Sequence, residues 1–317
     1  MDRKEGSRGI RMKTNTEQIF TYLDEAASKD ESLYLEQLIV ACQNWTEGTA
    51  SPEMQGDVTK EEIRRGLQLA ILKGMRQNVQ AHHQMTPDAI GMLIARISSF
   101  LLPQKEMVQL LDPAAGTGNL LLTVMNSLEV PASSVAVEID ELLARLIVAG
   151  ADLMEQTIRI YVQDALRPLL VDPVDLAVCD LPVGYYPDDE NALNFEMMPA
   201  DGHAYAHHLF IEQTIHHLKP EGYGIFIVPS SLFESAQAGE LHTYLKKHTI
   251  IRGILQLPQT LFKNAAQSKS LLILQKPSER AMPTPDVLLA TVPDMTDKQA
   301  MISFFNKMED WAKESTK

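Results

Sequence analysis

Apolar positions along the chain keep two different periods, and the change between them falls near residue 80. Before it the spacing is helical. Ile19, Phe20, Leu23 and Ala27 form one stripe, Leu35, Leu38, Ile39 and Cys42 a second, and Ile63, Leu67, Ala70, Ile71 and Met75 a third. The polar stretch Trp45 to Asp57 carries Gly48, Ser51, Pro52 and Gly56 and reads as a loop. This predicts a helical lobe over residues 1–80. After it, short apolar runs alternate with helical stripes. Met107–Leu111, Val135–Val137, Ile158–Val162 and Val174–Cys179 read as four strands. Strands alternating with helices imply a mainly parallel α/β sheet with helices on both faces, here over residues 81–317. Thr86-Pro87 reads as N-cap and first residue of the helix that leads in. Met301, Phe304, Phe305 and Met308 mark a closing helix over residues 297–317. No internal repeat interrupts the pattern.

Acidic residues stand where each of the four strands ends. The first strand runs into Asp112-Pro-Ala-Ala-Gly116-Thr-Gly118-Asn119-Leu120, a strand, tight turn and helix. Glycine at both positions permits a sharp turn and close approach of a ligand to the backbone. A helix N-terminus there offers unpaired N–H groups to a polar ligand. No Gly-Lys-Ser/Thr follows, which excludes a P-loop, and the third glycine of the dinucleotide fingerprint is missing. The second strand ends at Glu138-Ile139-Asp140, about 20 residues on, where a carboxylate suits ribose hydroxyls. The third ends at Gln163-Asp164-Ala165-Leu166 and the fourth at Asp180-Leu181-Pro182-Val183-Gly184-Tyr185-Tyr186. In open α/β sheets the ligand crevice lies outside these carboxyl ends.

Asp112-Pro-Ala-Ala-Gly-Thr-Gly-Asn-Leu, Glu138-Ile-Asp, Asp164 and Asp180-Leu-Pro-Val, in that order, resemble a class I S-adenosylmethionine-dependent methyltransferase. More narrowly they resemble the N6-adenine DNA methyltransferases, especially the modification subunits of type I restriction systems. Met85-Thr86-Pro87 resembles the Tyr-Thr-Pro before the first strand of that family. Leu257-Pro258 with Leu261-Phe262, and the Ser270–Lys276 run, resemble its late strand pair. The resemblance covers roughly residues 80 to 277 and implies a Rossmann-like, mostly parallel seven-stranded sheet. It implies S-adenosyl-L-methionine as cofactor, held by Thr86, Pro87, Asp112, Ala114, Gly116, Gly118, Asn119, Leu120, Glu138, Ile139, Asp164, Ala165 and Asp180. Asp180, Leu181 and Pro182 would be catalytic, with Asp180 and the Leu181 carbonyl accepting from an acceptor amino group. Val183, Tyr185, Tyr186 and Phe262 would face the substrate.

The fourth motif departs from the family pattern, Asn/Asp-Pro-Pro-Tyr/Phe. Leu181 replaces the first proline and Val183 the aromatic that stacks on the flipped base. Valine has no π-face, so Tyr185 or Tyr186 is the expected substitute for stacking worth about 1–3 kcal/mol per base. The long acidic segment Gly184–Gly202, directly after the motif, reads as a lid or substrate loop.

Composition and charge then narrow the picture. The chain has 317 residues with 45% apolar and 22% charged, ordinary for a globular protein. Its net charge of −14, from 42 acidic and 28 basic residues, counts against a broad phosphate-binding surface. Lys60, Arg64, Arg65, Lys73 and Arg76, or Lys246, Lys247 and Arg252, could form local basic patches, though solvated helix faces fit them better. Little chain follows Phe262, so DNA recognition would call for a separate specificity partner. No 18-residue apolar run is present, and Met1–Lys13 lacks the apolar core of a signal peptide; it reads as an arm, or the chain starts at Met12. Two cysteines, Cys42 and Cys179, without metal spacing suit a reducing cytoplasm. Histidines cluster at His82-His83, His203, His207-His208 and His216-His217, but no ligand set forms around them, so no metal is expected. Two other classes stay open: a cofactor-binding regulator without turnover, and a methyltransferase acting on RNA, protein or a small molecule.

Overall fold

The computed structural model describes residues 13–29, 33–77, 85–102, 105–278 and 287–315. Met12 and the His82-His83 pair lie outside the described residues. The chain divides into two compact units, Met1–His83 with Asp152–Met154, and Gln84–Ala151 with Glu155–Lys317.

The first unit contains α1 (Asn15–Ala27), α2 (Tyr34–Thr46) and α3 (Lys60–Gln77). Helix α1 opens with a capping box. The Thr14 hydroxyl accepts from the Glu17 N–H, and the Glu17 carboxylate accepts from the Thr14 N–H. Ile19, Leu23 and Ala27 of α1, Leu35, Leu38, Ile39 and Cys42 of α2, and Leu67, Ala70 and Ile71 of α3 are buried, matching the three apolar stripes. The basic residues here are largely neutralised. Lys73 Nζ lies 2.5 Å from Asp24 Oδ1, and Arg64 and Arg65 both pair with Glu61.

The second unit begins with α4 (Asp88–Leu101), β1 (Val108–Asp112), α5 (Asn119–Ser127), β2 (Ala132–Glu138), α6 (Glu141–Leu153), β3 (Thr157–Val162) and β4 (Val174–Asp180). It continues with α7 (Asp189–Ala192), α8 (Ala206–His216), β5 (Leu218–Pro229), α9 (Ala238–His248), β6 (Ile250–Gln256), β7 (Lys269–Gln275), β8 (Leu288–Thr291) and α10 (Lys298–Ser315). The sheet order is β3-β2-β1-β4-β5-β7-β6-β8. Strand β7 runs antiparallel to β5 and β6, and every other pairing is parallel. Among the described residues the sheet has eight strands where seven were expected. The extra one, β8, is four residues with Leu289 71% exposed, too short and too one-sided to stand out as a buried run.

Burial on both faces explains the near-continuous apolar strands. Leu110, Leu176, Val178, Ile225, Ile227, Leu271 and Ile273 point to one face and pack with α4, α5 and α10. Their neighbours Leu111, Ala177, Cys179, Phe226, Val228, Leu272 and Leu274 point to the other and pack with α8 and α9. Each fully buried Leu or Ile side chain contributes about 1.5–3 kcal/mol. A one-residue slip in register would exchange the two faces, so these layers fix where every strand ends.

Candidate active site

The strand order reverses at the β1–β4 pair, where Leu110 stands opposite Leu176 and Leu111 opposite Ala177. An open α/β sheet has its crevice at such a reversal, outside the carboxyl ends. Asp112 ends β1 and Asp180 ends β4, so both lie at that point.

The turn after β1 is built from its own backbone. Ala115 N–H donates to Val137 O at 3.0 Å and Gly118 N–H to Ala115 O at 2.8 Å. Gly116 has φ +56° and Gly118 φ +76°, both in the left-handed region that favours glycine. A Cβ on Gly118 would stand 3.0 Å from Ile147 Cγ1, whereas one on Gly116 would meet nothing within 4 Å. Gly118 therefore serves helix packing, and Gly116 leaves open space over the turn. Helix α5 starts at Asn119 without a side-chain cap. Asn119 points instead toward the entering segment, its Nδ2 donating to Thr86 O at 3.0 Å.

Carboxylates surround the turn. Glu138 Oε2 accepts from Gly116 N–H at 2.7 Å, and its Oε1 accepts from Asp140 N–H at 2.9 Å. Asp112 is 1% exposed and its Oδ1 accepts from Ala114 N–H at 3.1 Å. Burial, with the charges of Glu138 and Asp180 adding to it, pushes the Asp112 carboxyl up to about 7. Cys179 beside it is fully buried in the core, and that burial likewise raises its thiol. Ile139, just beyond Glu138, is 70% exposed on the rim, while Leu120 is buried in the core. Ala114 is half-buried in the turn.

Asp164 holds two partners. Its Oδ1 accepts from Leu166 N–H at 2.9 Å and its Oδ2 from the Tyr186 hydroxyl at 2.6 Å. The adjacent Ala165 is buried, with its carbonyl accepting from Gln213 Nε2. Tyr186 is therefore turned inward, its hydroxyl also accepting from Asn191 Nδ2. Tyr185 points the other way. It is 62% exposed and stacks on Tyr205 with ring centroids 5.0 Å apart and planes 14° apart. Tyr205 stacks in turn on His207 at 5.0 Å. Val183 and Pro182 are exposed, and Leu181 is buried, its N–H donating to Ile227 O. Phe262 is half-buried and packs on the α4–α10 side of the core.

Two features differ from the sequence reading. Thr86 does not cap α4; Pro87 is the N-cap and makes no side-chain cap. The Thr86 hydroxyl donates to Asp180 Oδ2 at 3.0 Å instead, a charge-assisted bond to a partly buried carboxylate that takes the place of a cap. The segment 184–202 is also less loop-like than its polarity suggests. Tyr186, Asn191, Ala192 and Met197 are buried, and the Glu212 carboxylate accepts from the N–H groups of Glu196 and Met197. The segment is packed against the α8 side of the core.

Lys269 was not singled out by sequence reasoning, yet its Nζ lies 2.6 Å from Asp180 Oδ1. The available signal was topological: the first residue of an antiparallel strand stands at the edge where its parallel neighbours end. Among the described residues, no group of three His, Cys, Asp or Glu could hold a metal. No described helix is long and apolar enough to cross a membrane.

A crystal structure from Listeria monocytogenes, described as a candidate class I S-adenosylmethionine-dependent methyltransferase, is 39% identical. It superimposes with a TM-score of 0.85, over 94% of this chain and 99% of that one. An uncharacterised protein of Bacillus subtilis, YtxK, is 41% identical over 259 residues, 81% of this chain and 79% of the relative. The methyltransferase subunit of a type I restriction-modification system from Streptococcus thermophilus shares the fold at 16% identity. Its TM-score is 0.68, over 94% of this chain and 74% of that one. The N-6 DNA methylase family model matches residues 75–312, which span the whole sheet and the crevice. The chain belongs to the N-6 DNA methylase family.

Proposed function

We propose that this chain is an S-adenosylmethionine-dependent methyltransferase that transfers methyl to the amino nitrogen of a nucleobase, adenine N6 in DNA, with a separate partner supplying sequence specificity. Residues 81–317 would be the catalytic domain and residues 1–80 a separate helical lobe. The two buried, unpaired cysteines suit a reducing cytoplasm. One observation carries the reading. The turn with open space above Gly116 lies at the sheet's reversal point, between a carboxylate at the end of β2 and another at the end of β4.

The residues present fit the cofactor. Glu138 keeps unused lone pairs on both oxygens beside the Gly116 backbone and would take the ribose hydroxyls. Ile139, exposed at the next position, would cover one face of the adenine, and Asp164 would accept from its amino group. The amino-acid end would lie over Asp112–Gly118, near Thr86 and Asn119. When bound, S-adenosylmethionine supplies a methyl group already activated on a sulfonium. The chain's own task is then alignment more than acid–base chemistry. Asp180 and the Leu181 carbonyl would accept from the acceptor N–H groups and aim the nitrogen. Tyr185, backed by Tyr205, would offer the ring that Val183 lacks. A base inside a duplex would first have to leave the stack.

A second reading, cofactor binding without transfer, draws on the aliphatic residue at Val183 and the two donors already on Asp180. Labelled methyl transfer separates the two. Purified protein, alone and with cell extract as a source of partners, is incubated with S-adenosylmethionine and pools of DNA, RNA, protein and small molecules. Label on adenine N6 is expected. No transfer above blank in any pool would leave only the second reading.

A further inference from the structure

The carboxylate of Asp180 already holds two donors from its own chain, and they reach it from different elements. Thr86 fixes the entering segment through Oδ2 at 3.0 Å. Lys269 comes from farther away. In the sheet Asp180 stands opposite Ile227 of β5, while Lys269 stands opposite Pro229, so the lysine reaches across the end of β5 to place Nζ 2.6 Å from Oδ1. Both side chains keep a quarter or so of their surface, 28% for Lys269 and 21% for Asp180, and both stand at the strand ends where the crevice of such a sheet lies. A half-buried pair of this kind is poorly screened, so an ammonium there shapes what else enters.

Resting on the reading given under Proposed function, we propose that Lys269 is a second recognition point of the acceptor site. Its ammonium donates to the ring atom beside the amino group whose N–H Asp180 accepts. Oδ1 has two lone pairs, so it can keep Lys269 and still accept an N–H. A ligand at that edge then meets an acceptor and a donor side by side. A nucleobase amino group next to a ring nitrogen presents the matching pattern, a neutral N–H and an adjacent acceptor. The exposed Tyr185 ring, stacked on Tyr205, gives a flat surface in the same segment for the base to lie against. A protonated aliphatic amine offers donors only and carries a charge that Lys269 repels.

The test compares wild type, Lys269→Met and Lys269→Arg with three acceptors: an adenine-containing oligodeoxynucleotide, spermidine and a glutamine-containing peptide. Cofactor calorimetry and thermal melting on each variant confirm that the fold and cofactor site persist. Wild type is expected to methylate the oligonucleotide alone. Lys269→Met should lose 10- to 100-fold in kcat/KM on it, with cofactor affinity within a few-fold, and should gain transfer to spermidine. Lys269→Arg, which keeps the charge and donors, should retain more activity than Lys269→Met. Equal transfer to the oligonucleotide by wild type and Lys269→Met overturns the inference, as does wild-type transfer to spermidine or the peptide at a comparable rate. A binding arm needs no turnover. 2′-Deoxyadenosine is titrated into each protein saturated with S-adenosylhomocysteine, and wild type should bind at least five-fold tighter than Lys269→Met. Wild type that transfers nothing even with cell extract as a source of partners defeats the function proposed above, and this arm then decides the inference alone: equal or absent binding overturns it.

Discussion

Asp112→Asn should make the unliganded protein more stable at alkaline pH. Asp112 is 1% exposed at the end of β1, and burial leads the causes that move its carboxyl from 3.8 to about 7. The Glu138 and Asp180 charges push the same way, while the Ala114 N–H and the Cys179 thiol oppose them. A folded-state value above the unfolded one means that the folded state binds the proton more tightly. The associated stability is whole below about pH 4 and is lost as pH rises through about 7. Holding an ionised carboxylate there at pH 8 costs on the order of 4 kcal/mol, taking ~1.4 kcal/mol for each tenfold in the ionisation constant. Asparagine keeps an oxygen for the Ala114 N–H and carries no charge. Urea unfolding of both proteins without ligand, at pH 5 and pH 8, reads the difference. The variant's advantage should be about 2–3 kcal/mol larger at pH 8 than at pH 5. The same stability gap at both values would refute the reasoning. The variant should also bind S-adenosylmethionine more weakly, since a carboxylate kept at such a cost marks a functional position.

Three further outcomes follow from the site. Glu138→Ala should weaken S-adenosylmethionine binding by about 1.5–3 kcal/mol, the range for hydrogen bonds to a charged group, and an unchanged Kd by calorimetry would remove Glu138 from the ribose. Asp180→Ala should abolish methyl transfer with cofactor affinity within a few-fold, because it would act on acceptor and transition state; equal transfer by both proteins would place the acceptor elsewhere. His208 is fully buried with both ring nitrogens unpartnered, and burial, with neighbouring His207 adding, lowers its pKa to about 3. Its neutral form therefore stabilises the fold above about pH 6.5, and that contribution is lost as pH falls toward 3. Between pH 7 and pH 5 wild type should lose about 2 kcal/mol more in urea unfolding than His208→Leu does, and parallel losses would contradict this.

Much of this was legible in the residues, and the parts that were not share a physical cause. Strands β1 to β4 and the three helices of the first unit follow from apolar period, because burial on both faces of a sheet or one face of a helix leaves a local pattern. The glycine turn was legible because positive φ at Gly116 and Gly118 demands a particular residue. The partners of Asp180 were not. Thr86 and Lys269 lie 94 and 89 residues from it, and nothing local in either segment records that contact. The choice between Tyr185 and Tyr186 likewise depends on the pairing of 184–186 with 204–206, where Tyr186 N–H donates to Ala204 O and Ala206 N–H to Gly184 O. That pairing turns one ring inward to Asp164 and leaves the other outside. The packing of the acidic segment 184–202 was not legible because most of its charged residues are exposed while a few apolar ones anchor it.

Calorimetric titration of S-adenosylmethionine into wild type and Gly116→Val tests the central claim most directly. Gly116 is the one position over the turn where a Cβ would meet open space within the crevice and no protein atom within 4 Å, so valine there intrudes on a ligand more than on the core. Its φ of +56° adds backbone strain that melting of the same samples would report. Wild type is predicted to bind one equivalent, and the variant to lose measurable binding while still folding. Wild type that does not bind, or a folded variant with unchanged affinity, would contradict the account.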